Sequence, residues 1–321
     1  PFNCEIGTFG PSQFLRSQAE CSACTPGSYC ATPGLSAPTA LCDAGFYCPG
    51  SSTSSLGADS STISRQCPQG HYCEQGSFTP TPCGTGYYAP AAGNRVPTAC
   101  VLCEEGFYCD APGLAAPVGP CDAGHFCRRG ATSAAPTDGV TIIDGGIVVG
   151  GDACPTGAYC PQQTGVPLLC AAGTYNDVPG ETTACSTCPA SFYCPTNTSS
   201  FLDFPCPPGY VCPEGTKYAS QHPCPAGTYN PSTLRQNITD GCQLCPPGQY
   251  CGGVANAVPD GNCTAGYYCR LGATSPTPTD GVTGGSCTQG EYCPAGSAKP
   301  EPCTGGMYCA DGTGIPTGQC T

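Results

Sequence analysis

The apolar positions of this chain fall in a short repeating phrase, C-x-x-G-x-aromatic, with polar or small residues between. It occurs sixteen times, opening at Cys4, Cys24, Cys42, Cys67, Cys83, Cys103, Cys121 and Cys154, and again at Cys170, Cys188, Cys206, Cys224, Cys245, Cys263, Cys287 and Cys303. The third position after the cysteine is glycine except at Ser191, and the fifth is Tyr or Phe except at Val211. A phrase this constant identifies a repeat architecture. Glycine and proline recur every few residues, so helices of ordinary length are not expected. The recurring glycine fits a turn of positive φ, and the aromatic two places later is placed to stack on a disulfide or on the next ring. The pattern predicts short irregular β-ribbons and turns, stapled into an elongated rod of small disulfide-rich modules with almost no helix.

Cysteine spacing groups the phrases. Eleven close at once as C-x5-C, from Cys24/Cys30 to Cys287/Cys293. Five others act as openers followed 15 to 18 positions later by a lone closer: Cys4/Cys21, Cys83/Cys100, Cys170/Cys185, Cys224/Cys242 and Cys303/Cys320. Units are therefore expected at 4–82, 83–169, 170–223 (shortened), 224–302 and a partial 303–321. The short unit lacks one C-x5-C entirely, which suggests that its two cysteines pair with each other elsewhere. The closing phrase leaves Cys309 over, at the position held by Gly10, Ala89, Asn176 and Asn230 in the other openers. Cys309 is thus expected to be unpaired or intermolecular. The alternative joins Cys303 to Cys309 and leaves Cys320.

Composition sharpens this. The 321 residues include 33 Cys, 46 Gly and 37 Pro, while Leu, Ile, Val and Phe make up only about 13%. So few apolar residues at a net charge of −13 would ordinarily mean disorder. Covalent cross-links can replace the missing core. Such cysteine density points to an oxidising, extracellular destination, secreted or at the cell surface. Nine basic residues against 22 acidic ones exclude a polyanion-binding surface. No stretch approaches the ~20 apolar residues of a membrane span. The sequence opens at Pro1, so an export leader is expected to have been removed or to lie outside it.

One segment stands apart. Thr141–Val149 sets the aliphatic residues Ile142, Ile143, Ile147, Val148 and Val149 around a glycine turn, a hairpin signal. It either packs on its own module or is offered to a neighbouring subunit. Loops 51–66, 128–153 and 271–286 are Ser/Thr/Pro-rich. They supply O-glycan candidates at Ser51, Ser52, Thr53, Thr132, Ser133, Thr137, Thr274, Ser275, Thr277 and Thr279, with plain surface loops as the alternative. Asn197 and Asn237 head N-glycosylation sequons, and Asn262 heads a weaker one through Cys263.

Catalytic chemistry finds no support. His71, His125 and His222 are scattered, and two of them occupy a variable position of the phrase. The C-x2-C pairs at 21/24, 100/103, 185/188 and 242/245 resemble zinc spacing, but regular cysteine ladders in an oxidising compartment form disulfides. The Pro-Thr-Asp-Gly runs at 136–139 and 278–281 fall short of a calcium loop. No cofactor is expected.

The phrases Cys-Pro-Ala-Gly-Thr-Tyr at 224–229 and Cys-Pro-Pro-Gly-Gln-Tyr-Cys at 245–251 resemble the ephrin-receptor-like cysteine-rich repeat, found in large extracellular proteins. The order of cysteines is also similar to tumour-necrosis-factor-receptor modules, a resemblance that implies pairs 83–100, 103–121 and 109–127. Self-contained C-x5-C rings are the alternative. Two functions follow as expectations. The first is a non-enzymatic, glycosylated rod that joins copies of itself head to tail into an extracellular fibre, similar to flagellar hairs. The second is the ectodomain stalk of a receptor or adhesin that binds a protein ligand.

Overall fold

Short antiparallel ribbons, most with two residues per strand, account for nearly all regular structure. The computed structural model describes residues 2–59, 64–143 and 145–319. Among them the longest strand is Ile147–Ala153, and the only α-helix is the four-residue Ile238–Gly241. The chain divides into two units. The first comprises Pro1–Pro155, Tyr159–Leu168 and Pro179–Thr183; the second comprises Thr156–Ala158, Leu169–Val178 and Ala184–Thr321.

Inside each unit the backbone of the phrase, not its side chains, makes the ladder. The amide of an opening cysteine donates to the third-position carbonyl of the phrase before it. In the first unit Cys42 bonds Gly27 at 3.0 Å and Cys103 bonds Gly86 at 2.9 Å; in the second Cys188 bonds Gly173 at 2.9 Å. The third-position amide in turn donates to the carbonyl at the sixth position of the next phrase, as in Gly86 to Cys109 at 2.9 Å and Gly248 to Cys269 at 2.8 Å.

A further residue, three or four places past each phrase, ties phrases two apart. Gly130 donates its amide to Cys103 at 2.9 Å and rests its carbonyl on Gly86, where a Cβ would stand 2.7 Å away. Gly215 relates to Cys188 and Gly173 in the same way in the second unit. This linking position takes positive φ even where it is not glycine: Phe14, Ser51, Gln163, Asn197, Leu234 and Ala255 all lie between 50 and 67°. Ser191, the one departure from glycine within the phrase, keeps the conformation at φ 81°. Geometry therefore outranks residue type.

Cystines form the core. Every described cysteine is buried except Cys21, Cys100, Cys185, Cys242 and Cys303, and the few other buried apolar side chains described are Ala89, Ala131, Pro136, Ala158, Val211, Ala273 and Pro278. Two openers fill the sixth position with a buried amide instead. Asn230 donates to the Tyr210 carbonyl at 2.8 Å, and Asn176 to those of Ala158 and Val178 at 2.7 and 2.9 Å. Both buried amides thereby find partners.

Among the described residues sixteen disulfides are formed, including Cys4–Cys21, Cys83–Cys100, Cys170–Cys185 and Cys224–Cys242. Two expectations are corrected. The crossed pairs 103–121 and 109–127 do not occur; Cys103 joins Cys109 and Cys121 joins Cys127, each with Cα atoms 5.9 Å apart. The glycine turn folds the phrase back, so that its sixth residue returns to its first. For the same reason Cys309, a cysteine at that sixth position, is not unpaired but bonds Cys303. Cys320, expected as the closer of Cys303, lies outside the described residues.

Candidate functional site

Among the described residues the insertion in the second repeat is the one place where the ladder grows a larger sheet. Gly139–Ile143 pairs antiparallel with Ile147–Ala153 without a break in register, and Ile147–Ala153 pairs on its other side with His125–Cys127 of the phrase. β-Branched residues favour the extended chain. Gly145 and Gly146, at φ 80 and 77°, turn it, and the Gly146 amide closes the turn on the Ile143 carbonyl at 3.1 Å. The base is anchored by the Cys121–Cys127 ring and by Arg128, whose amide donates to Gly150 at 2.9 Å. Asp144 lies outside the described residues.

The fourth repeat carries the same sheet base without a hairpin. There Tyr267–Cys269 pairs with Gly284–Ser286, and Cys269 faces Gly284 as Cys127 faces Gly151. The connecting loop has no strands. Instead the Asp280 carboxylate accepts from the amides of Val282 and Thr283 at 2.9 and 2.8 Å and from the Thr283 hydroxyl at 2.7 Å. These bonds hold its pKa below the usual carboxylate range.

Register divides the hairpin side chains into two apolar faces. Val140, Ile142 and Val148 share one face; Thr141, Ile143, Ile147 and Val149 share the other. Ile142 is 74% exposed and Val140 49%, whereas Ile147, Val148 and Val149 are half-buried. The aliphatic residues singled out from sequence are thus brought together.

Beside the base, Tyr88, Val101, Leu102, Glu104, Glu105 and Arg129 line an open groove of about 670 Å³. Tyr88 donates to Glu104 at 3.1 Å, and Glu105 pairs with Arg128 at 3.4 Å. Burial, and then the Glu104 bond, push the Tyr88 phenol above its usual pKa. Sequence reading missed this groove, because its residues come from separate phrases. The doubled acid Glu104-Glu105 was the one available sign. The second unit has an aromatic cluster in which Phe201 meets Tyr175 and Phe192 edge-on at 4.9 and 5.0 Å.

The remaining sequence candidates are spread along the ladder. Asn197 is exposed at a linking position. Exposed Asn237 caps the helix Ile238–Gly241, accepting from the Asp240 amide at 2.9 Å. Asn262 is exposed on the strand Gly261–Asn262. Of the hydroxyl candidates, Ser51, Thr132, Thr137, Thr274, Thr277 and Thr279 are exposed, and Thr53, Ser133 and Ser275 are half-buried. Ser52 is corrected: it is fully buried, because its carbonyl accepts the Cys30 amide and turns the residue inward, so it cannot take a glycan. His71, His125 and His222 stand on separate ribbons and turns. Among the described residues no group of three or more His, Cys, Asp or Glu could hold a metal ion, and no helix is long and apolar enough to cross a membrane.

No protein-family model matches the chain. Among curated proteins it is similar to the ABC transporter G family member 25 of Oryza sativa subsp. japonica, with 30% identity over 226 residues. The match covers 68% of this chain, and the chain spans 14% of that protein's length.

Proposed function

We propose that this chain is a non-enzymatic extracellular scaffold, a glycosylated, disulfide-stapled stretch of a cell-surface ectodomain that presents a protein-binding element. One observation carries the reading: among the described residues most buried side chains are half-cystines serving a backbone ladder. A fold held this way persists only where thiols stay oxidised, which supports export. Similarity to part of a much longer protein named as a transporter supports a module within a membrane-associated chain.

Differential alkylation of the protein from cells that express it tests this. In the native protein 32 cysteines should resist alkylation until reduced, and glycosidase treatment should shift its mass. Wholesale labelling before reduction overturns the proposal.

A second reading, a self-assembling fibre, is favoured by the constancy of the inter-phrase hydrogen bonds within each unit. It predicts concentration-dependent filaments in negative stain. Dispersed monomers at all concentrations count against it.

A further inference from the structure

The hairpin ends in an open edge. Sheet order places Ile147–Ala153 in the middle and Gly139–Ile143 outermost. Every second residue of an edge strand turns its N–H and C=O away from its neighbour, toward whatever lies outside. Edges are ordinarily protected by lysine, proline or a bulge. Gly139–Ile143 contains no charged residue or proline, and its register is unbroken. Both faces beside it are apolar, with Ile142 74% and Ile143 38% exposed. In a chain with about 13% Leu, Ile, Val and Phe, such residues gathered on one projection mark a surface for contact.

We propose that the outer edge of Gly139–Ile143 receives an extended segment of a partner protein, apolar and β-branched in the middle and basic at the end that meets Asp138, as a fourth antiparallel strand. Backbone pairing supplies the affinity and alternate side chains lie over the two apolar faces. Charge selects the partner. The strand is preceded by exposed Asp138, in a chain of net charge −13. A second copy is disfavoured: it brings its own net charge of −13 and its own exposed Asp138 to the same edge. Like charges directly opposite destabilise a strand pair. A Lys or Arg at the end of the incoming segment beside Asp138 turns that repulsion into an attraction. A lipid surface would leave the edge amides and carbonyls unpaired.

This docking goes beyond either reading of the scaffold and holds for both. Its test is fluorescence anisotropy with the intact, oxidised chain and a labelled synthetic peptide, acetyl-Lys-Val-Thr-Ile-Val-Lys-amide. A glutamate-flanked version and one with a central proline serve as comparisons. The lysine peptide should bind saturably, the glutamate peptide about tenfold more weakly, and the proline peptide not at all. Asp138→Lys should narrow or reverse the flank preference, and Ile142→Lys should abolish binding with the cystine map unchanged. Equal binding of both flank types, binding indifferent to Ile142→Lys, or no saturable binding overturns the proposal. So does a dimer in sedimentation that Ile142→Lys disperses, which assigns the edge to a second copy. Each of these results leaves the alkylation test of the scaffold untouched.

Discussion

Gly86 lies under the carbonyl of Gly130, with 2.7 Å between that oxygen and the place where a Cβ would be. Backbone from two phrases further along occupies the space any side chain would need. Gly86→Ala should therefore cost more than the ~1–2 kcal/mol of left-handed backbone strain alone. Gly290, also at positive φ (88°) but with nothing within 4 Å of a Cβ, provides the comparison. Thermal unfolding under non-reducing conditions should show the larger fall in Tm for Gly86→Ala. Equal falls would mean that close approach contributes nothing.

The local rings make a covalent prediction. Non-reducing peptide mapping should recover Cys103–Cys109 and Cys121–Cys127 as closed loops and Cys303–Cys309 as a third. Each short ring restricts the unfolded chain by about 2–4 kcal/mol. Removing one as a double Cys→Ser variant should lower stability by about that amount while the neighbouring rings still form. A recovered 103–121 peptide would contradict the fold.

Removing the hairpin should spare the ladder. The sheet base, where Cys127 faces Gly151, has a hairpin-free counterpart at Cys269 and Gly284. Replacing residues 140–149 by a short turn should leave the cystine map and circular dichroism intact and Tm within a few degrees, about the size of a surface change. Loss of the Cys121–Cys127 ring in this variant would show that the hairpin is structural.

Asp280 should titrate below an ordinary aspartate, because Thr283 donates to it from both hydroxyl and amide. Thr283→Ala should move it upward toward the usual value in an NMR titration. A depressed folded-state pKa gives stability that is present above the unfolded pKa and lost as pH falls through the folded one. Tyr88 has the opposite sense. Its raised pKa gives stability that is present below the ordinary tyrosine range and lost as pH rises through the folded value. Glu104→Gln should lower the Tyr88 titration midpoint. An unchanged midpoint would leave burial as the sole cause.

Much of this was legible in the sequence because the signals were local. The glycine turn, the aromatic ribbon and the Thr141–Val149 hairpin each depend on neighbouring residues, and each appears where the spacing placed it. The closing cystine was harder to read. The choice between Cys109 and Cys121 as partner of Cys103 depends on how tightly the turn folds the phrase back, a three-dimensional property that spacing alone does not carry. The linking position was also invisible, since Phe14, Gln163 and Leu234 share a conformation and not a side-chain type. Ser52 looked like any loop serine, yet its carbonyl is held by Cys30 and its side chain points inward. The groove around Tyr88 collects residues from separate phrases, so no run of sequence announces it.

Asn176 and Asn230 stand where most phrases carry a second half-cystine, and each is held by its own hydrogen bonds. An amide can therefore substitute for a covalent staple at this position without breaking the backbone path. Redox conditions and mutation then act on a graded set of fastenings, some severed by a reductant and some indifferent to it. Under partial reduction the opener phrases of the second unit would lose their long-range closers at Cys185 and Cys242 yet keep these amide clamps. Such phrases would hold their backbone path while their covalent closers are open.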